Sequence, residues 1–287
     1  MGVITRFAPS PTGWLHLGHA LAAHEVFGFA EIQNGTALLR IEDIDHTRCR
    51  PEYIKEIYKD LKWLGFDWPL PIRIQSEHYS DYAKVAIDLV QRGLAYSCSL
   101  SRSDLKAGKR TIRSDSPSHA EAGRVCERLR QSVRLKTPSL PFAIRLDLKA
   151  ALRRTPATLP YQEQYKTQQA LPSLRNWVNS DRPDPIIARR DIGTSYHIAV
   201  THDDRVQNVT NVVRGADFLD QTPLHVLIQN LMRWETPHYH HHALVTDETG
   251  RKLSKSDKDI TLQSLRKSGL SRADVLSHSL FKARGAL

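Results

Sequence analysis

The strand–helix–strand pattern at the start of this chain places the strongest limit on its fold. Residues 3–7 are apolar enough for a short buried strand, and a turn rich in proline follows. Residues 15–32 then carry apolar side chains at helical spacing, and residues 37–41 form a second apolar run. Two strands joined by a helix over so short a stretch are typical of a parallel sheet covered by helices. We therefore predict an α/β fold.

Helical and strand-like runs continue this pattern around a middle segment of different character. Apolar faces at helical spacing predict helices over residues 51–64, 79–90 and 222–234. The segment from about residue 96 to residue 160 includes a stretch rich in Ser, Arg and Lys, which indicates an insert that is partly loop-like. Three histidines at residues 240–242 form the low-complexity feature of the chain. Further strand-like runs lie at residues 142–148, 186–190, 196–201 and 209–214.

The charge balance favours an anionic partner. The 287 residues include 41 Lys and Arg against 31 Asp and Glu, a net charge of +10. Such a surplus favours nucleic acid, because cations near phosphates release counterions, although a merely soluble basic surface is the alternative. The sequence has no apolar run of about 18 residues, no signal-peptide pattern and too few cysteines, three, for a disulfide framework. We therefore expect a cytoplasmic protein without a membrane partner.

The first motif with chemical potential lies where the first predicted helix begins. His16 and His19 are three residues apart and share one helix face, so each can donate a hydrogen bond to a phosphate. The helix N-terminus adds free N–H groups and a partial positive charge. Gly18 would let a nucleotide approach the backbone closely. The alternative is that both histidines are ordinary helix residues.

The second motif lies near the C-terminal end. Lys252, Ser254 and Lys255 follow Gly250 in a Gly- and Ser-rich segment, as expected for a loop that closes over a triphosphate and neutralises its charge. A solvated basic loop is the alternative reading of this segment alone.

Together the two motifs resemble the paired signatures of class I aminoacyl-tRNA synthetases. H-L-G-H stands at residues 16–19 and K-L-S-K-S at 252–256, and the segments at 6–13 and 39–45 are similar to the glutamyl branch. The resemblance implies an α/β, Rossmann-like parallel-sheet catalytic core with an inserted basic subdomain and a short C-terminal helical tail, without an anticodon-binding domain. The boundaries it suggests are residues 1–95 and 161–245 for the two halves of the catalytic domain, 96–160 for the insert, and 246–287 for the lysine loop and tail.

The resemblance also implies a role for each matching residue. His16, His19 and Lys255 would be catalytic. ATP would be bound by His16, Gly18, His19, Lys252, Ser254 and Lys255. Glutamate would be bound by Arg6, Phe7, Ala8, Pro9, Ser10, Glu42, Tyr196 and Arg214.

The charges of this residue set suit glutamate, because a guanidinium binds a carboxylate and a carboxylate holds an ammonium. Judged from the residues alone, three assignments stay open. Glu42 could belong to a surface ion-pair network with Arg40 and Arg48, Tyr196 to the core, and Arg214 to a surface pair.

Residues 44–51 resemble a truncated glutamyl branch that transfers activated glutamate to the queuosine base in the anticodon loop of tRNA(Asp). The implied substrates are ATP, with Mg²⁺, L-glutamate and tRNA(Asp) carrying queuosine, bound by a monomer. The α-carboxylate of glutamate would attack the α-phosphate of ATP, and a hydroxyl of the modified base would then displace AMP. Two alternatives stay open: a compact glutamyl-tRNA synthetase that charges a tRNA 3′ end, and a non-catalytic tRNA-binding module derived from a synthetase.

The same family often carries a structural zinc ion in the insert, and this chain departs from that pattern. Cys98 and Cys126 match two ligand positions, but Leu100 and Ala122 occupy the other two. A structural zinc site normally needs four ligands. We therefore expect no metal site in the insert, although His119 could in principle substitute for one ligand.

Overall fold

The computed structural model describes residues 2–101, 103–104, 107, 119–135, 137–180, 182–244 and 261–277. The N-terminal elements are β1 (Ile4–Phe7), α1 (Leu17–Ile32), β2 (Thr36–Ile41), α2 (Pro51–Trp63), β3 (Arg73–Ile74) and α3 (Tyr79–Gln91). The middle elements are β4 (Ala95–Cys98), α4 (His119–Ser132), β5 (Ala143–Leu146), α5 (Leu148–Arg153), β6 (Pro160–Glu163), β7 (Lys166–Gln169), α6 (Leu171–Val178) and β8 (Ile186–Ala188). The later elements are α7 (Tyr196–Val206), β9 (Asn211–Gly215), α8 (Thr222–Leu231), β10 (His238–His242), α9 (Leu262–Lys267) and α10 (Arg272–Ser277).

A parallel arrangement of strands forms the centre of the fold, as predicted. β1 pairs with β2, β2 with β3, and β9 with β10, all in parallel. β9 lies beside β1, where the Thr210 N–H donates to the Ile4 carbonyl at 2.9 Å. These five strands therefore follow the spatial order β3–β2–β1–β9–β10, so the order of strands along the sheet reverses between β1 and β9. β6 and β7 continue the pairing beyond β10. Ligands of open α/β sheets collect at such a point, beyond the carboxyl ends of the strands.

Two apolar clusters cover this sheet. One joins α1, β1, β2 and α2, and includes the fully buried Leu61 of α2 and Val275 of α10. The other joins α3, α7, α8 and the insert, and includes the fully buried Leu89 and Val226. Burying a side chain such as Leu61 stabilises the fold by about 2–3 kcal/mol. No helix among the described residues is long and apolar enough to span a membrane.

Two strands at the insert, β4 and β5, belong to an antiparallel sheet with β8. β4 pairs with β5, and β5 with β8. Cys98 of β4 and Cys126 of α4 are both buried, and Cys126 packs inside the apolar cluster. Strand pairing thus connects the start of the insert to a strand as late as Ile186–Ala188, and the predicted segment boundaries stay predictions.

Residues 196–201 are helical, so the prediction of a strand there was wrong. They begin α7, where the Ser195 hydroxyl accepts a hydrogen bond from the Ile198 N–H at 3.4 Å and caps the helix. The reason for the error is that a short apolar run fits a buried strand and a buried helix equally well. The histidine run at 240–242 belongs to strand β10, because it pairs with β9, and its central member, His241, is buried.

The C-terminal helices dock against the N-terminal half. The Leu262 N–H donates to the Leu15 carbonyl at 2.8 Å, and Thr261 forms a bridge with His16. Arg266 of α9 contacts two acids of α2, Asp60 at 3.3 Å and Glu56. The chain therefore returns to the beginning of α1 directly after residues 245–260.

Candidate active site

A cavity of about 960 Å³ opens at the carboxyl ends of β1, β2 and β9. Its size falls in the range of small-molecule sites. Arg145 of the insert and residues between 177 and 192 line another part of it. Residues predicted from the sequence that line it are Arg6, Phe7, Ala8, Pro9, Ser10, His19, Glu42, Tyr196 and Arg214.

The remaining predicted residues fall into two groups. His16 and Gly18 lie at the N-terminus of α1, next to His19. Lys252, Ser254 and Lys255 lie outside the described residues. The chain leaves the described part at Leu244, whose side chain lies close to Gly215 on the cavity wall, and re-enters it at Thr261 beside His16.

The two histidines form a reciprocal cap on α1. Nδ1 of His16 accepts a hydrogen bond from the Gly18 N–H at 3.0 Å, and Nδ1 of His19 accepts from the His16 N–H at 3.2 Å. The ring centroids are 4.0 Å apart. Because each Nδ1 accepts, each ring carries its proton on Nε2. The motif therefore orients two imidazole N–H donors as well as completing the helix N-terminus.

Gly18 is needed for this cap. A Cβ atom at this position would lie 2.9 Å from Cε1 of His16, closer than real Cβ contacts allow. The space left by the missing side chain is thus filled by the His16 ring. The predicted close approach of a nucleotide to the Gly18 backbone stays a prediction.

Two buried arginines share one aspartate at the base of the cavity. Arg6 Nε lies 2.9 Å from Asp204 Oδ1, and Arg40 NH2 lies 2.8 Å from the same oxygen. Burial raises the pKa of Asp204, but Arg6 and Arg40 outweigh it and hold that pKa below its ordinary value. Asp204 therefore stays ionised and holds both guanidinium groups.

Glu42 is buried on the cavity wall and does not belong to a surface ion-pair network. Its Oε1 lies 3.3 Å from NH2 of Arg40. Burial raises the pKa of Glu42, and Arg40 and Arg6 oppose this effect. An ammonium group bound in the cavity would favour the ionised carboxylate further.

Arg214 is buried as well and does not form a surface pair. Its guanidinium donates to His241 Nε2 at 3.0 Å, to Thr222 Oγ1 at 2.8 Å and to the Tyr196 hydroxyl at 3.4 Å. His225 Nδ1 lies 3.2 Å from NH1 of Arg214. Tyr196 therefore lies at the cavity wall in contact with Arg214 and is more than a core residue.

Neutral imidazoles surround Arg214. Burial, with Arg214 nearby, lowers the pKa of His197 to about 4 and that of His225 well below its ordinary value. His197 Nδ1 lies 3.1 Å from His225 Nε2. Both rings are therefore uncharged at neutral pH.

Another part of the cavity wall comes from Arg145 of the insert, from residues between 177 and 192, and from the segment 44–51. Arg189 contacts that segment, because its NH1 lies 3.2 Å from Asp45 Oδ2. Trp177 and the buried Arg145 also line this side, and Arg145 contacts the main-chain carbonyl of Asp184. This part of the cavity is thus basic and partly aromatic.

Cys49 lines the cavity but is poorly suited to nucleophilic chemistry. Burial raises the pKa of its thiol to about 11, and the nearby Asp43 and Asp45 add to the effect. The thiol is therefore protonated at neutral pH. The chemistry that this arrangement supports is binding and charge stabilisation.

Several residues of the site were not predicted from the sequence. Arg40, Asp204, His225 and His241 contact the predicted residues but belong to no predicted set. A signal existed for Asp204, since paired acids within an apolar run are unusual. Its partners Arg6 and Arg40 lie 198 and 164 residues away in sequence, which no local pattern reveals.

The described residues contain no group of three His, Cys, Asp or Glu side chains placed to hold a metal ion. Mg²⁺ usually binds through substrate phosphates and water rather than through an all-protein cage. The described side chains therefore do not form a Mg²⁺ site of their own, and we assign the ion to no residue.

Comparison with known proteins shows the family of this chain. The family model for tRNA synthetases class I (E and Q), catalytic domain, matches residues 2–283. The glutamyl-Q tRNA(Asp) synthetase of Rhodobacter capsulatus is 37% identical over 95% of this chain and 98% of its own length. The glutamate–tRNA ligase of Treponema denticola is 32% identical over 97% of this chain and 55% of its own length.

Solved structures show the same fold. A glutamate–tRNA ligase from Elizabethkingia meningosepticum, crystallised with its amino acid, superposes with a TM-score of 0.66 at 24% identity, over 94% of this chain and 54% of that one. The chain thus spans nearly all of the Rhodobacter relative and about half of the two ligases. The predictions of an α/β class I core and of a synthetase-like ligase are confirmed. The chain belongs to the family of class I tRNA synthetases for glutamate and glutamine, within their catalytic domain.

Proposed function

We propose that this chain activates L-glutamate with ATP and transfers it to the queuosine base in the anticodon loop of tRNA(Asp). One observation carries the proposal: the cavity brings two buried arginines, Arg6 and Arg214, and the buried acid Glu42 to one end of the parallel sheet. Two cations and one anion complement the two carboxylates and one ammonium of glutamate. The similarity to the Rhodobacter glutamyl-Q synthetase over nearly its whole length supports the acceptor.

In the first step, the α-carboxylate of glutamate attacks the α-phosphate of ATP and pyrophosphate leaves. Glu42 and Ser10 hold the ammonium, while Arg6, Arg214 and Tyr196 hold the carboxylates. His16 and His19 donate their Nε2 protons as hydrogen bonds to phosphate oxygens at the helix N-terminus. Lys252, Ser254 and Lys255 act on the same phosphates in this proposal, and Mg²⁺ enters with ATP. Catalysis here consists of positioning and charge stabilisation.

In the second step, a hydroxyl oxygen of the modified base attacks the activated carbonyl carbon, AMP leaves with the electrons of the broken carbon–oxygen bond, and the hydroxyl proton passes to the departing phosphate or to water. The acceptor approaches from the basic side of the cavity, where Arg189, Trp177 and Arg145 lie. Aromatic and guanidinium groups are suited to splayed bases and phosphates.

The test uses labelled glutamate, ATP and two preparations of tRNA(Asp), with and without queuosine. Label on the queuosine-bearing tRNA alone is the expected result. Amino-acid-dependent exchange of pyrophosphate into ATP, without tRNA, tests activation separately. Label on both preparations, or at a 3′ end, would contradict the queuosine acceptor and leave activation standing.

A second candidate is a compact enzyme that charges a tRNA 3′ end. The similarity to glutamate–tRNA ligases, such as the one from Treponema denticola at 32% identity, favours it. Its distinguishing result is label on tRNA(Glu) that periodate treatment of the 3′ end prevents. The absence of exchange with any amino acid would instead favour the non-catalytic module.

A further inference from the structure

Arg214 directs its guanidinium N–H groups at protein acceptors of two kinds. Three contacts lie on the inner side: His241, Thr222 and His225, at 3.0, 2.8 and 3.2 Å. Two longer contacts lie on the cavity wall: NH1 to the Tyr196 hydroxyl at 3.4 Å and NH2 to the Phe218 carbonyl at 3.3 Å. The three inner contacts therefore hold the guanidinium in place, and the two contacts on the cavity wall are the weaker hydrogen bonds.

The direction of the hydrogen bonds in this network follows from Arg214. A guanidinium only donates, so the ring nitrogens that face it must accept. His225 then carries its proton on Nε2, 3.1 Å from His197 Nδ1. His241 carries its proton on Nδ1, 2.8 Å from Glu163 Oε2. In this pattern both histidines that touch Arg214 are neutral acceptors.

Arg214 also differs from the other two buried arginines in the group that compensates its charge. Arg6 and Arg40 both contact Asp204. Among the residues that the structure describes, no carboxylate lies within ion-pair distance of Arg214, and Glu163 reaches it only through His241. A buried guanidinium without an anion is costly, and a bound carboxylate removes that cost.

We infer that His225 and His241 are positioning residues that make Arg214 select a carboxylate over an amide. They hold the inner N–H groups with neutral acceptors. The outer NH1 and NH2 can then exchange their long bonds to Tyr196 and Phe218 for a bidentate pair with a carboxylate. An amide supplies one acceptor oxygen and no charge, and its NH₂ group would face a donor. The inference rests on the proposed function and specifies glutamate against glutamine within a family that includes both.

The variants separate the acceptor role from simple packing. His225→Leu and His241→Leu remove the acceptor nitrogens. In His225→Asn the amide oxygen stands near the place of Nδ1, and in His241→Gln near that of Nε2, so both keep an acceptor for Arg214. The matched control is His202→Leu, a buried histidine that contacts Asp203 and does not line the cavity.

The readout is pyrophosphate exchange with glutamate and with glutamine, together with KM for ATP and the thermal midpoint. We expect each Leu variant to raise KM for glutamate at least about tenfold, the loss expected for a hydrogen bond to a charged group. The preference for glutamate should fall by a similar factor while KM for ATP stays within about threefold. The acceptor-retaining variants should recover most of the loss, and His202→Leu should keep the wild-type preference.

Two results would overturn the inference: folded Leu variants that keep the wild-type preference, or acceptor-retaining variants that lose it as fully as the Leu variants do. If the Leu variants do not fold, His225→Asn and His241→Gln decide alone by keeping or losing the preference. Exchange by the wild-type protein tests the proposed function independently. If the wild-type protein shows no exchange, calorimetric binding of glutamate and glutamine by the same variants measures the preference for glutamate instead.

Discussion

At the scale of single residues, the N-terminus of α1 depends on one missing side chain. In Gly18→Ala the new Cβ would lie 2.9 Å from Cε1 of His16 and displace its ring from the cap. We expect the unfolding free energy to fall by about 1–2 kcal/mol, because α1 loses its N-terminal cap. Pyrophosphate exchange should fall at least about tenfold, because the His16 ring loses its orientation.

The control for this prediction lies in the same helix. A Cβ atom added to Gly28 would meet no heavy atom within 4 Å, so Gly28→Ala should stabilise the protein by up to about 1 kcal/mol and leave activity unchanged. Urea unfolding and pyrophosphate exchange measure both variants. Equal behaviour of the two alanine variants would show that His16 is not held in this way.

Glu42 is a buried acid of the cavity wall, and if it holds the ammonium as proposed, its loss should weaken amino acid binding. In Glu42→Gln the ammonium of glutamate loses its carboxylate partner, and KM for glutamate should rise at least about tenfold in exchange, with KM for ATP little changed. Glu56→Gln is the control, because Glu56 of α2 is equally buried but contacts Arg266. A KM shift of the same size in both variants would contradict the assigned role.

At the scale of elements, the docking of α9 on α2 should make stability depend on pH. Burial raises the pKa of Asp60 from its ordinary value of 3.8 to about 6, against the opposing effect of Arg266. Folded Asp60 thus holds its proton more tightly than the unfolded chain. Its contribution to stability is therefore full below about pH 4 and is lost as pH rises through 6.

Asp60→Asn should remove this dependence. As pH rises from about 4 to about 6, the wild type should lose about 1–2 kcal/mol of unfolding free energy relative to the variant. Urea unfolding at several pH values measures the difference, and Asp67→Asn, at an exposed position, provides the matched control. A constant difference between Asp60→Asn and wild type across the window would contradict the prediction.

At the scale of the whole molecule, the net charge of +10 should appear in tRNA binding and not in glutamate binding. As salt rises from about 50 to 200 mM, tRNA binding should weaken about tenfold for each pair of phosphates that the protein neutralises. KM for glutamate should change little, because its charged predicted ligands, Arg6, Glu42 and Arg214, are buried. Filter binding and exchange at the same salt concentrations test the two halves, and parallel losses would contradict the separation.

Much of the fold could be predicted because its signals are local. The β1–α1–β2 unit follows from periodicity and turn residues within the first 41 positions, and the observed bounds agree with it. The helix Tyr196–Val206 could not be predicted reliably, since its capping by Ser195 and its burial on several faces decide between helix and strand. Much of the described part of the predicted site lines one cavity, because the matching motifs end strands that meet at the same edge of the sheet.

The sequence by itself determined the motif types, the α/β class and the residues that supply cations, an anion and imidazoles. Only the tertiary structure decided how these charges are compensated. Asp204 reaches Arg6 and Arg40 across most of the chain, while Arg214 meets neutral histidines from α8 and β10. The physical reason is that pairing and desolvation depend on distances of a few ångströms between groups far apart in sequence, which no local pattern encodes.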